Sequence, residues 1–204
     1  MNGSRLLRGT LISLALGIVS TSALSAEADA EDGALFELQV TGHVRGENGD
    51  SLLSTLLYAE KPLPMPDVSA FVAMHHDREF RAIYAGLARK FGDLQLGLGI
   101  GNAWFDQLRH PAINPWLFYS DVTSEAFLSA ERYGGEDRAP WCYKGHATWR
   151  IADSIFIGAY GEKDLGVGPM IRWRNGSFRI WVAVPVISRP EAGARGVAGV
   201  QIEF

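Results

Sequence analysis

The stretch that decides the fold is residues 141–151, which read WCYKGHATWRI. The aromatic residues Trp141, Tyr143 and Trp149 fall on alternate positions, and the positions between them carry a lysine, a histidine, a threonine and an arginine. A period of two is typical of a β-strand with one apolar and one polar face, whereas a helix repeats every ~3.6 residues. The stretch therefore predicts a strand that separates two environments.

The same alternation recurs along the chain and predicts about twelve strands, with eight or ten possible if short ones merge. They are expected near residues 35–45, 51–59, 68–75, 79–89, 94–103, 113–120, 124–133, 140–151, 154–162, 165–174, 177–186 and 195–204. The segment 124–133 also begins like a helical capping box, but we favour a strand there.

The connections between these strands alternate in length. Asn175-Gly176 is a tight hairpin signal, whereas residues 105–112, 134–139 and 188–194 are predicted to be longer polar connections. Short turns on one rim and longer loops on the other are typical of an outer-membrane barrel. The proline-rich link 61–67 does not fit this rule, because it would fall on the short-turn rim.

The N-terminal segment has the features of a secretory signal. Arg5 and Arg8 precede the apolar run 11–19, and Ala23-Leu24-Ser25-Ala26 has small residues two apart. The run is shorter than the ~20 residues of a spanning helix. We therefore predict a signal peptide at 1–26, cleaved near Ala26, followed by a single domain at 27–204.

Which face of the strands points inward decides between a soluble sandwich and a membrane barrel. The polar faces carry small residues, such as the glycines of 97–101, rather than a solubilising mixture. Trp141 and Trp149 share a face about 26 Å apart at ~3.3 Å per residue, which projects to about 20 Å on a tilted strand. That is close to the ~25 Å apolar band edged by aromatic girdles. The prediction is an all-β, closed antiparallel up-and-down transmembrane β-barrel, with Trp141, Trp149 and Trp173 as membrane-interface aromatics.

The C-terminal strand carries a family resemblance. Residues 199–204 read GVQIEF, an alternating strand that ends in an aromatic residue. This ending resembles the assembly signal of bacterial outer-membrane β-barrel proteins, with Val200, Ile202 and Phe204 as its apolar positions. The resemblance implies a bacterial outer-membrane location, contact with outer-membrane lipid, and recognition by the barrel assembly machinery. It also implies that both chain ends face the periplasm.

Charged residues on the polar faces are predicted to point into the barrel. They are Lys144, His146, Arg150, Arg172, Arg174, Arg179, Glu37 and Glu162, and Arg81 and Arg89 are placed with them. An open, water-filled interior with this basic wall would be a porin-like channel for small hydrophilic, and here anionic, solutes. If the ions instead pair and fill the interior, the protein is a closed structural or interaction barrel that acts through its extracellular loops.

A third alternative is a lipid-modifying outer-membrane enzyme with His146 as its base, but no serine is placed beside it by the sequence. No catalytic residue, metal site or cofactor is predicted. The chain has 204 residues, one cysteine and a formal charge of -4. These values exclude a disulfide scaffold and give no support to nucleic-acid binding.

Overall fold

The computed structural model describes seven stretches of the chain, which are residues 33–45, 51–78, 80–105, 108–134, 141–163, 165–186 and 194–204. The predicted signal peptide at 1–26 lies outside the described residues. In the described stretches, no helix combines the length and the apolar character that a membrane-spanning helix needs.

Twelve strands form one closed barrel. They are β1 (Leu35–Arg45), β2 (Ser51–Pro62), β3 (Val68–His76), β4 (Phe80–Phe91), β5 (Leu94–Phe105), β6 (Leu108–Ser120), β7 (Ser124–Tyr133), β8 (Cys142–Ala152), β9 (Ile155–Glu162), β10 (Gly166–Asn175), β11 (Phe178–Ala183) and β12 (Ala194–Glu203). Each strand pairs with its neighbours in sequence, and β1 pairs antiparallel with β12. The prediction of a closed, antiparallel, up-and-down barrel with about twelve strands is confirmed.

The two rims differ in their connections. At one rim, which we call the turn end, β4–β5, β8–β9 and β10–β11 are joined by two residues each. The chain ends of the barrel also meet there, since the Phe204 N–H donates to the Phe36 carbonyl at 2.8 Å. The proline-rich link belongs to this rim, where the Leu63 N–H donates to the Val68 carbonyl at 2.9 Å. The opposite rim is the loop end. The β5–β6 link there also has two residues, but this rim holds the two longest connections, β7–β8 and β11–β12.

The predicted connection at 105–112 is wrong, because β5 continues to Phe105 and β6 begins at Leu108. Its polar residues indicated a connection between strands. Pro111 lies inside β6 instead, where its carbonyl accepts a hydrogen bond from the Gly134 N–H at 2.7 Å. The missing proline N–H is tolerated there, because Pro111 lies beyond the Ala112–Tyr133 pair that ends the register between β6 and β7.

The turn between β6 and β7 shows why the 124–133 segment has features of a helix start. The Asp121 carboxylate accepts hydrogen bonds from the Tyr119 hydroxyl and from the backbone N–H groups of Thr123 and Ser124 at 2.6 and 2.7 Å. A helix cap makes the same kind of bonds, but here the chain continues as β7. These donors, led by the Tyr119 hydroxyl, lower the pKa of Asp121 to about 2.

The barrel is apolar outside and polar inside. Ile100, on the outer face, is 67% exposed, whereas Thr148, on the inner face, is 1% exposed. No aspartate or glutamate lies on the outer face of the described strands. A soluble protein buries its apolar side chains, so this exterior matches lipid and not water.

Candidate functional site

One cavity runs along the inside of the barrel, with a volume of about 720 Å³. Its lining includes Gln95 and Glu203 at the turn end and Asp77 and Lys163 at the loop end. Spread over the ~25 Å of a membrane's apolar band, this volume corresponds to a mean cross-section of about 30 Å². Residues from both rims therefore line the same cavity.

The cavity wall is acidic. Three lining residues are lysine or arginine, namely Lys144, Lys163 and Arg179. Seven are aspartate or glutamate, namely Glu37, Glu60, Asp77, Glu125, Glu131, Glu162 and Glu203. The sequence analysis predicted a basic wall, and the described lining has the opposite balance.

Tyrosines two positions away hold several of these carboxylates. On an inward strand face, residues i and i+2 are neighbours, and in each pair the phenol donates a hydrogen bond to the carboxylate. The pairs are Tyr58–Glu60, Tyr133–Glu131 and Tyr160–Glu162. Sequence reasoning missed them, although tyrosine and glutamate two apart in an alternating strand are a usable signal.

The carboxylate of Glu60 is held at the cavity wall by hydrogen bonds from uncharged groups. It accepts hydrogen bonds from the Tyr58 hydroxyl, the Ser69 hydroxyl and the Gln95 side-chain amide, the last at 2.7 Å. None of these donors carries a charge, so the negative charge of Glu60 contributes to the field inside the cavity.

Arg172 does not line the cavity but connects neighbouring strands of the wall. It is 1% exposed and donates hydrogen bonds to the carboxylate of Glu125 on β7 and to Thr148 Oγ1 on β8, the latter at 2.8 Å. Its guanidinium also lies 5.0 Å from the ring centroid of Phe156 on β9. Four consecutive strands are thus joined through one side chain, and Glu125 neutralises the charge that was expected to face the solute.

His146 lies beside the ion pair of Arg172 and Glu125. Its Nε2 is 3.2 Å from Glu125 Oε1 and 3.4 Å from Arg172 Nη1. In the described part of the chain, these contacts are to a carboxylate and a guanidinium, and not to the hydroxyl nucleophile that an enzymatic role would require. No group of three metal-ligating side chains occurs among the described residues either.

The seam that closes the barrel brings two carboxylates together. Glu37 on β1 and Glu203 on β12 are register partners, and like charges directly opposite each other destabilise a strand pair. Arg179, on β11, offsets this repulsion, since its Nη2 lies 2.7 Å from Glu203 Oε1.

An aromatic group fills part of the lumen near β9–β12. Trp181 stacks on Tyr160 with ring centroids 5.1 Å apart, inside a buried cluster with Leu165, Met170, Ala183 and Val197. His43 on β1 reaches Glu162 on β9, with Nε2 and Oε2 3.3 Å apart. These side chains occupy the β9–β12 side of the lumen, and the wall opposite them includes β3 to β6.

On that opposite wall, three rings project from β2, β3 and β6. Tyr58 and Phe71 stack at 5.6 Å, and Trp116 meets Phe71 edge-on at 5.6 Å. Gly97 allows the indole to lie flat on the wall, because a Cβ at this position would be 2.0 Å from Trp116 Cε2. The small inward residues of β5 therefore accommodate aromatic rings.

The other predicted interior residues are placed as follows. Glu37, Lys144, His146, Glu162 and Arg179 line the cavity. Arg150 is exposed and Arg174 is half-buried near the turn end of their strands, and neither borders the cavity.

The sequence-based assignment of Arg81 and Arg89 to the barrel interior is wrong. Both alternate with the inward Ala82 and Ala88, so they are on the outer face of β4 and exposed. The face of this strand was misassigned because arginines at both of its ends were taken as interior charges. At a strand end, however, an outward arginine can reach the headgroup layer.

The residues predicted for the membrane interface and for assembly lie outside. Trp141, Trp149 and Trp173 are 46%, 56% and 40% exposed. Val200 and Ile202 lie on the outer face of β12, because Gln201 between them is buried inside. Phe204 is 53% exposed and pairs through its backbone with Phe36.

The solved structures that resemble this chain in fold include porin barrels. The KdgM porin aligns with a TM-score of 0.51 at 10% identity, over 83% of this chain and 99% of that chain. The KdgM porin in complex with disordered oligogalacturonate aligns with a TM-score of 0.50 at 12% identity, over the same shares. A bacterial polysaccharide outer membrane secretin aligns at 10% identity and a TM-score of 0.43, and this chain spans 63% of its length.

No family model and no curated protein sequence matches this chain. At these identities the likeness concerns the fold alone, which is the closed barrel of outer-membrane porins. This agrees with the resemblance inferred from the C-terminal strand.

Proposed function

We propose that the protein is a passive outer-membrane channel for small hydrophilic solutes. The observation that carries this proposal is the cavity of about 720 Å³, whose lining reaches from Gln95 and Glu203 at one rim to Asp77 and Lys163 at the other. A closed structural barrel would pack this space with side chains, as small barrels do.

The outer surface of the barrel supports the proposal that it lies in a membrane. An outward apolar surface, with no carboxylate on the described strands, is unfavourable in water and favourable in acyl chains. The chain ends meet at the turn end, and short turns face the periplasm in this class of barrel. The loop end then faces the cell exterior.

The charge balance of the lining favours cations over anions. Leaving out Glu125, whose charge Arg172 neutralises, six carboxyl groups against three lysines and arginines make the wall negative, and the field in a narrow pore selects the opposite charge. Arg172, on which the expected anion preference partly depended, is paired with Glu125. Oligogalacturonate is named for the KdgM porin; the solute proposed here is instead a small cation or a neutral hydrophilic molecule.

Purified protein in a planar lipid bilayer is expected to produce discrete current steps. Under a KCl gradient, the reversal potential should have the sign of a cation-selective pore, since carboxylates predominate in the lining. Absence of current at every voltage tested, from protein shown to be folded, would favour the closed structural barrel. Selectivity for chloride would retain the channel but contradict the charge argument.

Two carboxylates that have no cationic partner among the described residues test the origin of the selectivity when they are neutralised. The double variant Glu60→Gln/Glu131→Gln keeps acceptors for the tyrosine hydroxyls but removes two negative charges. We expect its potassium-to-chloride permeability ratio to move toward unity. The control Asp153→Asn removes a carboxylate in the β8–β9 turn, outside the cavity lining, and should leave the ratio unchanged.

A further inference from the structure

Three exposed arginines lie on the outer face at the loop end of the barrel. Arg81 is the second residue of β4, Arg109 is the second residue of β6, and Arg132 is the last but one of β7. Each is thus one residue from the loop end of its strand. The three strands fall within four consecutive ones, a span of about 15 Å at ~4.8 Å per strand.

Neighbouring side chains contact two of these arginines, and the third, Arg81, is paired in register with Trp104. Arg81 and Arg109 are both register partners of Trp104 on β5. The Arg109 Nε–H donates to Asn102 Oδ1 at 2.7 Å, and the Arg132 guanidinium lies 6.0 Å from the Trp141 ring centroid. These contacts involve one of the five N–H donors of Arg109 and one face of the planar Arg132 guanidinium.

On the described strands, the surroundings of this face supply apolar surface but no counter-charge. Toward the turn end, the next outward residues on the three strands are Ile83, Pro111 and Ala130. The outer face of the described strands holds no aspartate or glutamate. The three arginines, which we call the loop-end arginine patch, therefore lie where the apolar belt ends.

We propose that the loop-end arginine patch binds the phosphate groups of a lipid headgroup in the outer leaflet. Guanidinium groups bind phosphate through paired N–H donors. Trp104 and Trp141 beside the patch suit the interface between headgroups and acyl chains. Because apolar wall continues directly below the arginines, the best match is an amphiphile that carries phosphate above an acyl region, and not free phosphate.

This inference goes beyond the channel function and depends only on the membrane placement. The probe is lipid A, a phosphorylated glycolipid, added to the purified barrel in detergent micelles and measured by native mass spectrometry. The triple variant Arg81→Gln/Arg109→Gln/Arg132→Gln should bind it at least about tenfold more weakly, because three guanidinium groups that bind phosphate are lost.

The matched control uses the outward basic residues of the opposite rim. Lys61 and Arg89 lie near the turn ends of β2 and β4, so Lys61→Gln/Arg89→Gln should bind lipid A like the unmodified protein. Dephosphorylated lipid A should bind the unmodified protein as weakly as lipid A binds the triple variant. Equal binding of both lipids, or displacement of lipid A by equimolar inorganic phosphate, would overturn the proposal.

Two further measurements separate this proposal from the channel. The triple variant should migrate as a folded, heat-modifiable band and should keep the unitary conductance, because none of the three arginines borders the cavity. If the unmodified protein conducts but does not bind lipid A, only the lipid site fails. If it binds lipid A but does not conduct, only the channel fails.

Discussion

Replacing Arg172 by methionine is expected to lower the free energy of unfolding by about 3–5 kcal/mol, the typical cost of breaking a buried ion pair by removing one partner. The variant leaves the carboxylate of Glu125, 3% exposed, without its guanidinium. It also removes the donor to Thr148 Oγ1 and the contact with Phe156. The side chain that joins four strands is lost, so the effect should reach the whole barrel.

The measurement is urea-induced unfolding of the protein reconstituted in lipid vesicles, followed by tryptophan fluorescence. Arg174→Met is the matched control, because Arg174 lies two residues further on the same strand face and is only half-buried; its change should stay within about 0.5 kcal/mol. The double variant Arg172→Met/Glu125→Leu should recover most of the loss, since an apolar replacement of both partners is often neutral. An unchanged midpoint for Arg172→Met would mean that Glu125 does not depend on this arginine.

Gly97→Ala is expected to reduce the unitary conductance by moving an aromatic ring into the passage. The new methyl group would lie 2.0 Å from Trp116 Cε2, so the indole must leave the wall. Trp116 already borders the cavity, and the cavity is the space that can take the displaced ring. Single-channel recording in a planar bilayer measures the effect.

Two companion variants isolate the ring as the cause. Trp116→Ala removes it and should raise the unitary conductance above that of the unmodified protein. The double variant Gly97→Ala/Trp116→Ala should match Trp116→Ala, because no ring remains to be displaced. If the double variant conducts as poorly as Gly97→Ala alone, the alanine acts through the strand and not through the indole.

The sequence was sufficient to predict the strands and most of their faces. All twelve segments appear as strands, and 35–45 and 124–133 have the predicted bounds. This works because the alternation of a strand is local and depends on each residue and its immediate neighbours. The same locality explains the errors at strand ends, where Arg81 and Arg89 were assigned to the wrong face and residues 105–112 to a loop.

The amino-acid sequence by itself determined a chain of alternating strands with an apolar exterior, because the period of two separates the faces wherever one of them meets lipid. Only the tertiary structure decided which interior charges are neutralised and which remain on the wall. Glu125 and Arg172 are 47 positions apart, and His43 and Glu162 meet across the lumen from β1 and β9. Such pairs arise from the closure of the sheet, since curvature and strand tilt bring distant residues together, and no local pattern encodes that proximity.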